Sequence, residues 1–163
     1  MLNYPELISG DYSAVYNELA TLRQQAPHPT RLKLILETSQ LSAPQITAAC
    51  TMAAAANFDF VKTSTGFNGP GAKVSDVQLM AACCERLAQG GTKMRVKASG
   101  GIRTLEDAVA MLGAGASRLG TSGGVWISKE GREARDGDEG EGASVYERRG
   151  SRPALATRLF TDY

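Results

Sequence analysis

Residues 58–101, FDFVKTSTGFNGPGAKVSDVQLMAACCERLAQGGTKMRVKASGG, contain the pattern that decides the fold. An apolar, β-prone run at Phe58–Thr63 leads into a glycine-rich loop, and a helix is predicted from about Ser75 to Gln89, where apolar residues recur at helical spacing. Gly90-Gly91 ends that helix, and a second strand is predicted at Met94–Ala98. A strand, a helix and a strand in this order indicate two parallel strands joined by a crossover helix.

The same unit recurs on both sides of this stretch. Upstream we predict a helix at Asp11–Gln25, a strand at Leu32–Glu37 and a helix from about Pro44 to Ala56. Downstream we predict a helix capped by Thr104 and Asp107, then a strand at Ser117–Thr121. Four such units fit either a small doubly wound sheet or half of a barrel, and periodicity alone does not distinguish these architectures.

Length and composition exclude several classes of protein. The chain has 163 residues, which suits one domain but falls short of the roughly 250 residues of a closed eight-stranded α/β barrel. A net charge of +1 gives no electrostatic reason to expect nucleic acid or an anionic membrane as partner. No apolar run approaches a membrane span, and the first residues lack a secretory signal. Three cysteines and one histidine predict no metal site and a cytoplasmic location.

Composition also divides the chain in two. Residues 1–128 carry the strand and helix units, whereas residues 129–152 hold thirteen charged residues and five glycines. Such a segment buries little apolar surface. We therefore expect a partial barrel over 1–128 and a flexible charged tail over 129–163.

Three predicted strands place an apolar residue before a charged one near their ends: Leu36-Glu37, Val61-Lys62 and Val96-Lys97. Because side chains alternate faces along a strand, the charged members point into the barrel or crevice if the apolar members pack on helices. Two lysines on neighbouring strands lower each other's pKa, and a partly neutral lysine can attack a carbonyl to form a Schiff base. The alternative is that both lysines form structural ion pairs, for example with Glu37.

Two glycine-rich turns follow the last two strands. Gly100-Gly101 follows one strand directly, and residues 120–124 (GTSGG) follow the next. Backbone N–H groups at such turns bind anions, phosphate among them, although glycine is also common in ordinary tight turns.

The string FVKTSTGF at residues 60–67 resembles the Schiff-base lysine signature of the deoxyribose-phosphate aldolase family. Residues 32–38 (LKLILET), 96–104 (VKASGGIRT) and 118–125 (RLGTSGGV) resemble further strands of that family in the same order. The resemblance implies a TIM (β/α)8-barrel fold, of which this chain holds about the C-terminal half, the last four β/α units.

The resemblance also implies an activity and a site. Lys62 would form the imine with 2-deoxyribose 5-phosphate, whose cleavage gives glyceraldehyde 3-phosphate and acetaldehyde, and no metal or organic cofactor is implied. Lys97 would lower the pKa of Lys62 and relay protons, and Tyr163 is a candidate for protonating the enamine. The substrate phosphate would be held by Gly100, Gly101, Gly120, Ser122 and Gly123, the last through its N–H.

One expectation concerns the start of the chain. Residues 1–4 resemble the end of the family's fourth strand, so that by this alignment the earlier strands and the relay aspartate are absent. We expect a fragment, a chain that pairs with another half-barrel in cis or from a second copy, or a marginally folded and inactive chain. Three functions stay open: a phosphosugar aldolase completed by a partner, a non-catalytic half-barrel, and another phosphate-binding barrel enzyme that uses lysine only as a charge.

Overall fold

A computed structural model describes residues 1–88 and 94–138. Strands and helices alternate through most of this part, as the sequence predicts. In chain order the elements are α1 (Tyr4–Ser9), α2 (Tyr12–Gln25), β1 (Lys33–Ile35), a 3-10 helix (Thr38–Gln40), α3 (Ala43–Ala55), β2 (Phe60–Lys62), α4 (Val74–Ala88), β3 (Arg95–Ser99), α5 (Leu105–Gly113), β4 (Arg118–Gly120) and α6 (Gly124–Asp138).

The four strands form one parallel sheet in the order β1-β2-β3-β4. Sequential order with right-handed crossovers puts the connecting helices on one face, as in a barrel wall. A doubly wound sheet instead changes direction at a switch point, so this alternative does not apply. The fold class is therefore confirmed as part of a (β/α)8 barrel.

One face of the sheet packs against the helices. Leu34, Val61 and Val96 stand side by side in the register, and each is at most 2% exposed. They join an apolar cluster that also contains Ile46 of α3 and Met80 of α4. The charged residues next to them in sequence therefore face the other side, which would be the interior of a closed barrel.

Local sequence fixes the helix starts. Thr104 Oγ1 accepts a hydrogen bond from Asp107 N–H at 3.1 Å, and Asp107 Oδ2 accepts one from Thr104 N–H at 3.1 Å. This confirms the predicted capping box. At α3, Gln45 Oε1 accepts the Ser42 N–H at 2.8 Å, and Pro44 lies in the first turn.

The first residues lie along the outer edge of β1. Leu2 N–H donates to the carbonyl of Ile35 at 2.8 Å, and Leu2 is 2% exposed. The segment thus occupies the place of a neighbouring strand's end, in keeping with the sequence expectation for residues 1–4.

The predicted start of the tail differs from the structure. Helix α6 continues past residue 128 to Asp138 instead of ending there. Glu130 explains part of the extension, because its carboxylate accepts the Leu105 N–H at 2.7 Å and so caps the first turn of α5. Lys129 and Glu133 add an ion pair one turn apart. The rest of the predicted tail, residues 139–163, lies outside the described residues.

Candidate active site at the carboxyl ends of the strands

Lys62 and Lys97 stand next to each other on β2 and β3. They are register partners in the parallel ladder, and both side chains are half-buried. Adjacent strands lie roughly 4.8 Å apart, so the two ammonium groups share one small region of the open face. The structure therefore brings together the two lysines that the sequence singled out.

The surroundings lower the pKa of both lysines. Burial is the main cause for Lys62, the charge of Lys33 lowers its pKa further, and the Glu37 carboxylate acts in the opposite direction. Burial also leads for Lys97, followed by the charges of Lys33, Lys62 and Arg118. A lowered pKa increases the share of neutral amine, which is the nucleophilic form.

The ion-pair alternative does not describe these lysines. In residues 1–88 and 94–138, neither Lys62 nor Lys97 has a carboxylate oxygen within ion-pair distance. Glu37 instead accepts hydrogen bonds from Thr65, including one from its hydroxyl at 2.5 Å. The register also differs from the sequence pattern, because Ile35 and not Glu37 is level with Lys62.

Glycine is required where the loops after β2 and β3 meet. Gly100 and Gly101 have φ values of 85° and 78°, in the left-handed region. A Cβ on Gly71 would lie 2.4 Å from the carbonyl carbon of Gly100, and one on Gly101 would lie 2.9 Å from the carbonyl oxygen of Pro70. The turn after β3 is thus built by the close approach of two backbones.

The turn after β4 lies beside it. Thr121 Oγ1 donates to the carbonyl of Ile102 at 2.6 Å and accepts the Gly123 N–H at 2.8 Å. The Gly123 N–H, a predicted phosphate ligand, is therefore already bonded within the protein. Ser122 is exposed just before α6, where the first helical N–H groups have no partner inside the helix.

Gly120 has a different structural role from the other glycines of these turns. Its neighbours are side chains: a Cβ there would lie 2.8 Å from Cε of Lys97 and 2.6 Å from Oγ of Ser99. Gly120 is the register partner of Ser99, and its carbonyl accepts the Gly100 N–H at 3.3 Å. Gly120 thus leaves room for Lys97 instead of facing a ligand.

Sequence reasoning missed three side chains on the open face. The Arg118 guanidinium lies 4.4 Å from the centre of the Phe60 ring, and that of Arg95 lies 4.7 Å from it. Arg118 is also the register partner of Lys97. Period-two alternation along β2, β3 and β4 would have identified all three, because Phe60 and Arg95 lie two residues before the lysines.

Tyr163, the candidate for enamine protonation, lies outside the described residues, and its role stays a prediction. In the described part of the chain no group of three or more metal-ligating side chains occurs, and no helix has the length and apolar character of a membrane span.

Comparison with known proteins gives the family. The chain is 51% identical over 132 residues to a deoxyribose-phosphate aldolase of Coccidioides immitis, and 45% identical over 127 residues to one of Mycoplasma capricolum. These alignments cover 81% and 78% of this chain. By sequence and fold, the chain belongs to the deoxyribose-phosphate aldolase family. No protein-family model matches it.

Solved structures of deoxyribose-phosphate aldolases have the same fold. One from Coccidioides immitis, described as such an aldolase, superposes on this chain with a TM-score of 0.76 at 51% identity. The aligned region covers 80% of this chain and 50% of the other chain. Another from Aeropyrum pernix gives a TM-score of 0.67 at 33% identity, over 76% of this chain and 51% of its own. The chain spans about half the length of the curated relatives it matches, 48% and 54% for the two above.

Proposed function

We propose that this chain carries the Schiff-base half of a deoxyribose-phosphate aldolase site. The reaction is the reversible cleavage of 2-deoxyribose 5-phosphate to glyceraldehyde 3-phosphate and acetaldehyde. One observation carries the proposal: Lys62 and Lys97 are register partners, and the pKa of each is lowered, first by burial. Family membership supports the substrate, because the aligned relatives are named for it.

Lys62 is the proposed nucleophile. Its neutral Nζ adds to the aldehyde carbon, water leaves, and the imine takes up a proton from the protonated Lys97 side chain. The C3 hydroxyl passes its proton to a water molecule, the C2–C3 bond breaks, and the bonding electrons move into the imine to form an enamine. Glyceraldehyde 3-phosphate departs, and protonation and hydrolysis of the enamine release acetaldehyde and regenerate the amine.

Lys97 is the proposed electrostatic partner. The Lys62 charge lowers the pKa of Lys97, and repulsion between two ammonium groups is reciprocal, so a protonated Lys97 favours neutral Lys62. Its position on the adjacent strand also suits proton transfer at the imine. Tyr163 remains a proposed proton donor to the enamine.

The proposed phosphate site lies at the turns after β3 and β4. The N–H of Gly101 and that of Ser122 donate to no other group in the described residues, and α6 begins two residues after Ser122. Gly100 shapes this turn through its positive φ, whereas Gly120 and Gly123 support it from within the protein. A helix start beside free N–H groups favours a phosphate dianion.

The remaining strands of a barrel would come from outside the described residues. Four strands do not enclose a barrel. We propose that a further barrel segment, of the same polypeptide or of another copy, completes the site, and the molar mass in solution tests this. We also propose a cytoplasmic location, with which the free thiols of Cys50, Cys83 and Cys84 are compatible.

Trapping with borohydride tests the proposed chemistry. The chain is incubated with 2-deoxyribose 5-phosphate and sodium borohydride, and its intact mass is measured. A substrate-dependent adduct is expected, which Lys62→Ala abolishes and Lys73→Ala, in the exposed loop before α4, does not. Absence of the adduct in a folded chain would leave the non-catalytic half-barrel as the better description.

A further inference from the structure

Glu37 has two unusual features for a glutamate. It is 1% exposed, and its φ and ψ of 58° and 61° put it in the left-handed region two residues after the end of β1. Burying a carboxylate costs free energy, and so does this backbone conformation in a residue with a side chain. Features of this kind persist where the surrounding structure requires them.

The carboxylate of Glu37 binds the loop that follows Lys62. Both of its oxygens accept the Thr65 N–H at 3.2 Å, and Oε2 accepts the Thr65 hydroxyl at 2.5 Å. The Thr65 oxygen in turn accepts the Phe67 N–H at 3.2 Å. Thr65 is three residues beyond Lys62, so the start of the loop is tied to the end of β1.

The other end of the loop is tied to the glycine turn. Ala72 N–H donates to the carbonyl of Gly100 at 3.0 Å, and Ser39 Oγ donates to the carbonyl of Asn68 at 2.7 Å. Residues 64–72 are thus held between the segment after β1 and the turn after β3. A displacement at Glu37 would reach the proposed phosphate site through this loop.

The Glu37 carboxylate also acts on the charge of Lys62. Lys33 lies on β1, level with Phe60, and its charge lowers the pKa of Lys62. Lys97 is level with Lys62 on β3, and Arg118 follows on β4. Burial and the Lys33 charge lower the pKa of Lys62, and the Glu37 carboxylate acts against them. The same group therefore influences the charge of the nucleophile and the position of its loop.

We propose that Glu37 is a positioning residue for the reaction of Lys62, which holds residues 64–72 in place through Thr65 and balances the cations around the amine. This inference rests on the proposed function and adds a residue to it. Glu37 acts through Thr65 and through its charge, and touches no reacting atom in this scheme.

The experiment compares three variants with the unchanged chain. Glu37→Gln removes the charge, Thr65→Val removes the hydroxyl that Glu37 binds, and Glu18→Gln is the control on the exposed face of α2. Each is treated with acetaldehyde and sodium cyanoborohydride at a series of pH values, and peptide mapping gives alkylation of Lys62 relative to Lys73. Amide hydrogen exchange of residues 64–72 is measured in parallel.

The proposal predicts a different result for each variant. Glu37→Gln should lower the pH midpoint of Lys62 alkylation and speed exchange in the loop by about tenfold, the loss of one charge-assisted hydrogen bond. Thr65→Val should speed exchange with little change in the midpoint, and Glu18→Gln should change neither. If Glu37→Gln and Glu18→Gln give the same midpoint and the same exchange, the proposal is wrong.

Two further outcomes keep the tests distinct. If Glu37→Gln does not fold, Glu37→Asp takes its place, because it keeps the charge on a side chain one methylene shorter. Glu37→Asp should speed amide exchange in residues 64–72, and unchanged exchange would overturn the proposal. If Lys62 of the unchanged chain is alkylated no faster than Lys73, the proposed function fails. The hydrogen-exchange comparison still judges Glu37 in that case.

Discussion

Gly120 lies directly beside the side chain of Lys97. A Cβ on Gly120 would be 2.8 Å from Cε of Lys97, closer than real Cβ atoms approach other heavy atoms. The φ of Gly120 is outside the left-handed region, so space and not backbone conformation requires glycine at this position. The path of the second lysine is therefore set by the absence of a side chain on the next strand.

Gly120→Ala should disturb the site more than the fold. The end of the Lys97 side chain and the Ser99 hydroxyl can move aside, so we expect Gly120→Ala to lower the free energy of unfolding by about 1–3 kcal/mol. The displaced Lys97 amine should slow borohydride-trapped imine formation at Lys62 by about tenfold, measured by intact mass. Gly113→Ala is the matched control, because a Cβ there meets nothing within 4 Å. Equal trapping rates in the two variants would contradict this prediction.

Gly71→Ala should destabilise the chain more than Gly66→Ala. Both residues have positive φ, 86° and 97°, so the backbone strain is similar. A Cβ on Gly71 would meet the Gly100 backbone at 2.4 Å, whereas one on Gly66 would meet nothing within 4 Å. We expect an extra cost of roughly 1–3 kcal/mol for Gly71→Ala, read from urea unfolding. Equal urea midpoints and slopes for the two variants would show that the loop around Gly71 moves away from Gly100 without a cost in stability.

Lys97→Met should stabilise the fold at neutral pH and slow imine formation. A lysine whose pKa is lowered in the folded state costs stability below that pKa, and the cost disappears as pH rises toward its unfolded value of about 10.4. The free energy of unfolding of the unchanged chain should therefore rise with pH in this window. In Lys97→Met this rise should be smaller. The gain at pH 7 should be at most about 1 kcal/mol, because the group is half-exposed. Urea unfolding at several pH values tests this, with Lys73→Met as the exposed control.

Asp59→Asn should weaken the fold at the opposite end of the sheet. Burial raises the pKa of Asp59, but hydrogen bonds from Leu32 N–H at 2.8 Å and Arg23 at 2.7 Å outweigh it and lower the pKa. The resulting stability is present above the unfolded pKa of about 3.9 and is lost as pH falls through the folded pKa.

We therefore expect Asp59→Asn to cost roughly 1.5–3 kcal/mol at pH 7, a difference that vanishes in strong acid. Urea unfolding at pH 7 and in strong acid measures this difference, with Glu18→Gln as an exposed control. A difference that persists in acid would assign the loss to packing and not to charge.

Much of the fold could be predicted from local pattern. The strands at β2 and β3, the capping box of Thr104 and Asp107, and the glycines that follow the strands are all properties of short segments. The end of α6 was not predictable in this way, because the glycines and charges after residue 128 resemble a tail. Glu130 caps another helix, which is a contact between segments 25 residues apart.

The sequence by itself determined the family, the parallel α/β order and the identity of the two lysines, because strand period, turn residues and motif spacing are local. Only the tertiary structure decided that Lys62 and Lys97 are level, that Glu37 binds Thr65 instead of a lysine, and that Gly120 makes room for Lys97. Register, burial and the close approach of two backbones depend on how separate strands align, and no single segment encodes that alignment.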